Sequence, residues 1–197
     1  ARLTELERAG WDACNGFALN SLLSYAEGRR TVWLANSRGT RIMQSTPHAR
    51  LTCTLTAAVD GVRQQVSEHQ ARLGGLELLA EMTPEQLTVK AAERVLRQCR
   101  ARTAPPGVLP IIFHPSITGL FAHEALGHNA EADSYYAGQS ILLGRLGRQI
   151  AAPCVTIVDD STLPDAYGSY DYDDEGVPGQ RRTIIDRGVF ATLLHSL

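Results

Sequence analysis

The chain has 197 residues, 44% of them hydrophobic and 20% charged, a balance that suits a globular protein with a sizeable core. Its net charge is −2, its arginines are scattered among acids, and Lys90 is its single lysine, which excludes an electrostatic case for nucleic acid or an anionic membrane as partner. No apolar run reaches transmembrane length, the opening ARLTELERAGWDA lacks the apolar core of a signal peptide, and a cytoplasmic location is expected.

Residues 3–28 read as helical with a break at Asn15-Gly16, because Leu19, Leu22, Leu23 and Ala26 fall at helical spacing. Thr31–Ala35 then reads as a strand, Asn36–Gly39 as a turn and Thr40–Ser45 as a second strand. Arg50–Val59 is rich in β-branched residues, Asp60-Gly61 is a hairpin signal, and Val62–Gln70 is the returning strand. An antiparallel meander is therefore expected over residues 31–70. Thr83 is placed to cap a second helix, with Pro84 at its first position and Gln86 closing a capping box. Leu87, Ala91, Val95 and Cys99 recur every four residues and predict its buried face. Ala104-Pro105-Pro106-Gly107 ends this helix and is the best domain boundary in the chain.

Beyond it, Val108–Phe113 (VLPIIF) predicts a buried strand, and Ser116 a cap for the helix that carries HEALGH. Cys154–Val158 predicts another buried strand, and Thr183–Ile185 and Val189–Leu194 flank a second hairpin at Asp186-Arg187-Gly188. Helices and largely antiparallel strands in separate runs predict an α+β fold, in two partial domains over residues 1–104 and 105–197. Cys14, Cys53, Cys99 and Cys154 form no CxxC pair and read as reduced, mostly buried thiols. The final GVFATLLHSL stops inside what reads as a strand, so a segment of a longer protein is expected.

The chemistry concentrates in Phe121–Asp133, FAHEALGHNAEAD. Zinc takes nitrogen, sulfur or oxygen donors, and catalytic sites keep a position open for water. The familiar zinc-protease spelling places two histidines four apart, on one face of a helix. Here His123 and His128 are five apart. At about 100° per residue, a regular α-helix would leave them about 140° from eclipsed. A π-bulge absorbs the extra residue, and Gly127 is the expected place for the distortion, since glycine tolerates unusual backbone angles. A straight helix through His128 would contradict a metal site. Glu124 stands where a carboxylate can take a proton from metal-activated water. Glu131 and Asp133 are placed to orient a histidine ring from behind.

The whole segment resembles the histidine–glutamate–three residues–histidine motif of the TldD/PmbA family. CVTIVDDST and DYDDEGVPGQRRTIIDRGVF resemble two further segments of that family in order and spacing, and VWLANSRGT resembles a hairpin of its middle region. The resemblance runs from about residue 30 to the end. It implies a zinc (Zn2+) metallopeptidase acting on small or unfolded peptides, with links to modulation of DNA gyrase. It also implies pairing as a homo- or heterodimer with a related subunit, this chain being similar to the motif-bearing one. His123 and His128 match the metal ligands and Glu124 the general base. The family's third ligand is a cysteine further downstream than any position here, so the chain holds an incomplete site, and Cys154 reads as a core thiol.

DYDDEG imitates the start of a calcium loop, but the twelfth position, which needs a bidentate glutamate, is Arg182. A turn is the better reading. Tyr135, Tyr136, Tyr167, Tyr170 and Tyr172 could line a peptide groove or cover a core edge. His114 reads as a loop histidine within reach of a metal, and no nucleophile elbow, phosphate loop or dinucleotide fingerprint occurs. The rival to a peptidase is a non-catalytic binding or regulatory subunit of a peptidase assembly.

Overall fold

A computed structural model describes residues 1–196. The fold is α+β, with two three-stranded antiparallel sheets and short helices. Contacts divide the chain into two compact units.

The first unit comprises residues 1–33, 43–106 and 164–168. Helix α1 spans Arg2–Ala13, and strands β1 (Ala18–Ala35), β2 (Arg41–Val59) and β3 (Val62–Leu73) follow in the order β1-β2-β3. The expected meander is present, with longer strands. Asp60 and Gly61 both have positive φ, 50° and 80°, as the tight turn between right-twisted strands requires. The helical reading of residues 19–28 is corrected: they belong to β1. Leu19, Leu22, Leu23 and Ala26 mimic a helical stripe, but Ser21, Leu23 and Tyr25 alternate inward while Leu19 and Leu22 are exposed. Pairing with β2 decides the conformation over the local spacing.

Helices α2 (Glu77–Glu81) and α3 (Thr88–Cys99) complete this unit. The capping box at Thr83 forms as expected: Thr83 N–H donates to Gln86 Oε1 (3.0 Å) and Gln86 N–H to Thr83 Oγ1 (3.3 Å). It closes a turn ahead of the helix and does not cap it: the expected cap at Thr83 with Pro84 at the first position is corrected, since Leu87 stands at the N-cap and the helix starts at Thr88. Leu87, Ala91, Val95 and Cys99 are buried, as their spacing predicts, and pack with Leu6 of α1 and with Leu51, Cys53 and Leu55 of β2. Truncating one of these buried leucines to alanine would cost about 2–5 kcal/mol. Arg94 and Lys90 of α3 both reach Glu68 on β3, whose side chain is 9% exposed.

The second unit comprises residues 34–42, 107–163 and the chain from Ser169 onward. Helix α4 (Pro115–Ala122) runs into a π-helical turn (His123–Gly127), a 3₁₀ turn (His128–Ala130) and helix α5 (Ala132–Tyr136). Strands β4 (Ile157–Asp160), β5 (Arg181–Asp186) and β6 (Val189–Phe190) form its sheet, the expected hairpin joining β5 to β6. Its core is Ala130, Leu142, Ile184, Ile185, Phe190 and Leu193.

Two expected strands are corrected. Val108–Phe113 forms no strand, and Val108 and Ile112 are almost wholly exposed. A strand exists only when another pairs with it, and composition names no partner. The strand foreseen at Cys154 begins at Ile157, and Cys154 is exposed rather than a core thiol. The other three cysteines are buried as expected, and all four are unpaired. Burial pushes the Cys14 and Cys53 thiols up, Cys53 to about 11, which suppresses thiolate reactivity. Among the described residues, no helix is long and apolar enough to cross a membrane.

Candidate metal centre

The site is built on one interrupted helix. Its start is set by His114, whose backbone is extended and whose Nδ1 accepts from Ser116 N–H at 3.2 Å. The cap is therefore His114 and not Ser116. Pro115 sits at the first helical position, where a missing N–H costs nothing.

Helix α4 then widens. His128 N–H donates to His123 O, a bond across five residues where an α-helix spans four. This is the distortion that the five-residue spacing demands. It brings the two imidazole rings to a centroid distance of 4.4 Å, with planes at 70°. Gly127 has φ −54° and ψ −59°, ordinary helical values. The expectation that glycine would supply unusual angles is corrected: the π turn spreads the extra residue over several positions. An added Cβ at Gly127 would stand 3.8 Å from His123 Nδ1, an ordinary van der Waals contact, so neither the backbone nor the packing here requires glycine.

His123, Glu124 and His128 converge so that one ligand-capable atom from each lies within 4.8 Å of the others. All three side chains are exposed, open to water and to a substrate. Behind His128, Glu131 Oε1 lies 2.8 Å from Nδ1. Such a contact fixes ring orientation and tautomer and leaves Nε2 free to ligate. The helix ends at Glu131 (φ −63°, ψ 127°), which lets this side chain fold back. Asp133 takes another role, accepting from Ser134 N–H at 2.7 Å. His114 and Cys154 lie outside the cluster.

The C-terminal segment fixes the rear of the site. Leu194 N–H donates to Ala130 O (2.7 Å) and Ala132 N–H to Leu194 O (2.9 Å), so residues 193–196 run beside the chain just past His128. Ser196 Oγ donates to Asp173 Oδ2 at 2.5 Å. Asp173 Oδ1 accepts from the N–H groups of Glu175 and Val177, so DYDDEG forms a turn. Burial opposes the Asp173 charge, but these donors outweigh it and hold its carboxyl below the usual range. On the other side of that turn, Asn36 Nδ2 donates to Glu175 O at 3.3 Å. The DYDDEG turn is expected from the sequence, but the pairings of Leu194 with Ala130, Ser196 with Asp173 and Asn36 with Glu175 have no signal there, because the partners lie far apart along the chain. The tyrosines have separate roles. Tyr135 packs on the core and accepts from Gly144 N–H, Tyr136 is exposed, and Tyr167 packs edge-on against His48.

The chain is similar to several known proteins. The chain is 36% identical over 178 residues to a metalloprotease of Methanothermobacter thermautotrophicus, covering 90% of this chain and 39% of that one. It is 32% identical over 195 residues to a metalloprotease of Archaeoglobus fulgidus, covering 98% of this chain and 44% of the relative. The chain thus spans less than half of either. Among solved structures, a chain from Bacteroides thetaiotaomicron superposes with a TM-score of 0.81 at 21% identity, over 98% of this chain and 44% of that one. TldE from Thermococcus kodakarensis gives 0.69 at 21% identity, over 98% and 42%. Family models match as the PmbA/TldA metallopeptidase central domain over residues 2–98 and the C-terminal domain over residues 106–197. The chain belongs to the TldD/PmbA family of metallopeptidases.

Proposed function

We propose that this chain carries the zinc-binding part of a peptidase that hydrolyses small or unfolded peptides, with His123 and His128 as metal ligands and Glu124 as general base. The observation behind this reading is the π turn, which brings two imidazoles five residues apart together with a carboxylate between them. The donor set fits the metal: two imidazoles suit zinc, whereas calcium and magnesium prefer oxygen. Zinc held there supplies a Lewis acid and lowers the pKa of water. His123 and His128 hold the metal through unprotonated nitrogens, and Glu131 keeps the His128 ring in place. Glu124 accepts the proton of the attacking water and returns it to the leaving amine. The family resemblance assigns the third ligand to a cysteine downstream. The family resemblance extends the proposal to pairing with a second copy or a related subunit and to a cytoplasmic location.

A non-catalytic binding subunit is the second reading, because apart from Glu124 the cluster offers two ligands. Glu124→Gln separates the two. It should lower peptide turnover on the order of 10²–10⁴-fold while leaving zinc content unchanged. Unchanged turnover removes Glu124 as the base; lost zinc makes it a ligand.

A further inference from the structure

His123 and His128 meet only because the helix gives up its regular pitch, and that irregular stretch has to be held. In an α-helix the N–H of His128 would reach Glu124 O; here it reaches His123 O. A π turn is rare and short in helices, and Ala125 and Leu126 inside it are good formers of the regular helix.

The hydrogen bonds that follow show what holds it. The carbonyls of a last helical turn need partners from elsewhere. Ala130 O accepts Leu194 N–H at 2.7 Å, and Asn129 O accepts the Ser140 hydroxyl at 2.6 Å. The Asn129 side chain works in both directions. Its Nδ2 donates back to Ala125 O, within the π turn, at 3.2 Å, and its Oδ1 accepts Ile141 N–H at 3.4 Å. Ser140 Oγ in turn accepts Leu142 N–H at 3.0 Å. Ser140 and Leu142 are buried, Leu142 in one core with Ala130. Residues 140–142 therefore grip Asn129 by its backbone and its amide at once, and the grip is anchored in the core of the second unit.

We propose that Asn129 is a positioning residue for the metal centre: clamped by residues 140–142, it holds the π turn, so that the His123 and His128 rings stand paired before a metal arrives. A return to α pitch would rotate the chain beyond the turn by about 100° against α4. Asn129 would then leave Ser140 and Ile141, and Ala130 would leave its core. The clamp and the π turn stand or fall together. Asn129 sets the backbone from which His128 projects, whereas Glu131 fixes the rotation of the His128 ring. Donors ordered in advance bind more tightly, because less freedom is lost on binding. The consequence for metal binding rests on the reading of the two histidines as zinc ligands; the clamp itself does not.

The test is the nuclear Overhauser contact between the two imidazole rings, whose centroids are 4.4 Å apart, in the metal-free chain in EDTA. The parent should show it. Asn129→Ala removes both amide bonds and installs a stronger helix former. Asn129→Asp keeps the shape and the acceptor for Ile141 N–H, but as a carboxylate offers Ala125 O no donor. Each should lose the ring contact, and Asn129→Ala should bind zinc about tenfold more weakly, measured by chelator competition. Asn129 is half-buried, so folding should survive, and either variant suffices if the other does not fold. A merely stabilising residue would lower the thermal midpoint and leave the ring contact intact. That result, or a metal-free parent without the contact, would overturn the proposal. A parent that shows the contact, loses it in the variants and takes up no zinc would count against the zinc ligands and leave the clamp supported.

Discussion

At the residue scale, Glu131 is the least obvious participant. It binds no substrate in this account, yet it stands 2.8 Å from His128 Nδ1. A ligand imidazole whose ring is left free must be ordered on binding, and its tautomer is no longer set. Glu131→Ala is therefore expected to weaken zinc affinity about 10–100-fold, measured by competition with a chromogenic chelator. Equal affinity in the variant would make the contact a helix-end bond only. Gly127 is not the pivot of the distortion. The sequence pointed to it for its backbone freedom, but it adopts helical angles that any residue can hold.

At the element scale, the five-residue spacing foretold a break in the regular helix, because about 100° per residue cannot align the two rings, and the π turn is the form it takes. The meander and the buried face of α3 were equally legible, since alternation and the four-residue repeat report burial directly. The segments at residues 19–28 and 108–113 were not. Both are apolar, and their conformation depends on a partner strand that local spacing does not reveal. The site's rear wall was hidden for the same reason. Gly176 is tightly enclosed there, with φ +86° and a Cβ position 2.7 Å from Thr40 Cγ2 and 2.9 Å from Leu34 Cδ2. Gly176→Ala should destabilise the chain by roughly 1–3 kcal/mol from backbone strain alone, read as a lowered thermal midpoint. An unchanged midpoint would mean that the turn and the hairpin tip yield without cost.

At the scale of the whole molecule, the ion pairs at Glu68 predict a loss of stability in acid. Burial opposes the charge on Glu68, but hydrogen bonds from Arg94 and Lys90 outweigh it and hold its carboxyl below the usual range. A depressed folded-state pKa stabilises fully above the unfolded value of about 4.3. That contribution fades as pH falls through the lower folded value. Glu68→Gln should therefore lower stability at neutral pH and flatten its decline below about pH 4, measured by urea unfolding across pH. A parallel decline in the variant would assign the acid sensitivity to other carboxylates.

The central claim is that His123 and His128 hold zinc together and that Glu124 does not. The most direct measurement is NMR of the imidazole nitrogens while zinc chloride is titrated into the chain. The account predicts that the His123 and His128 signals shift together and saturate at one equivalent, with Glu124→Gln leaving the titration unchanged. Shifts centred on His114 or His195, or no shift at either motif histidine, would contradict it.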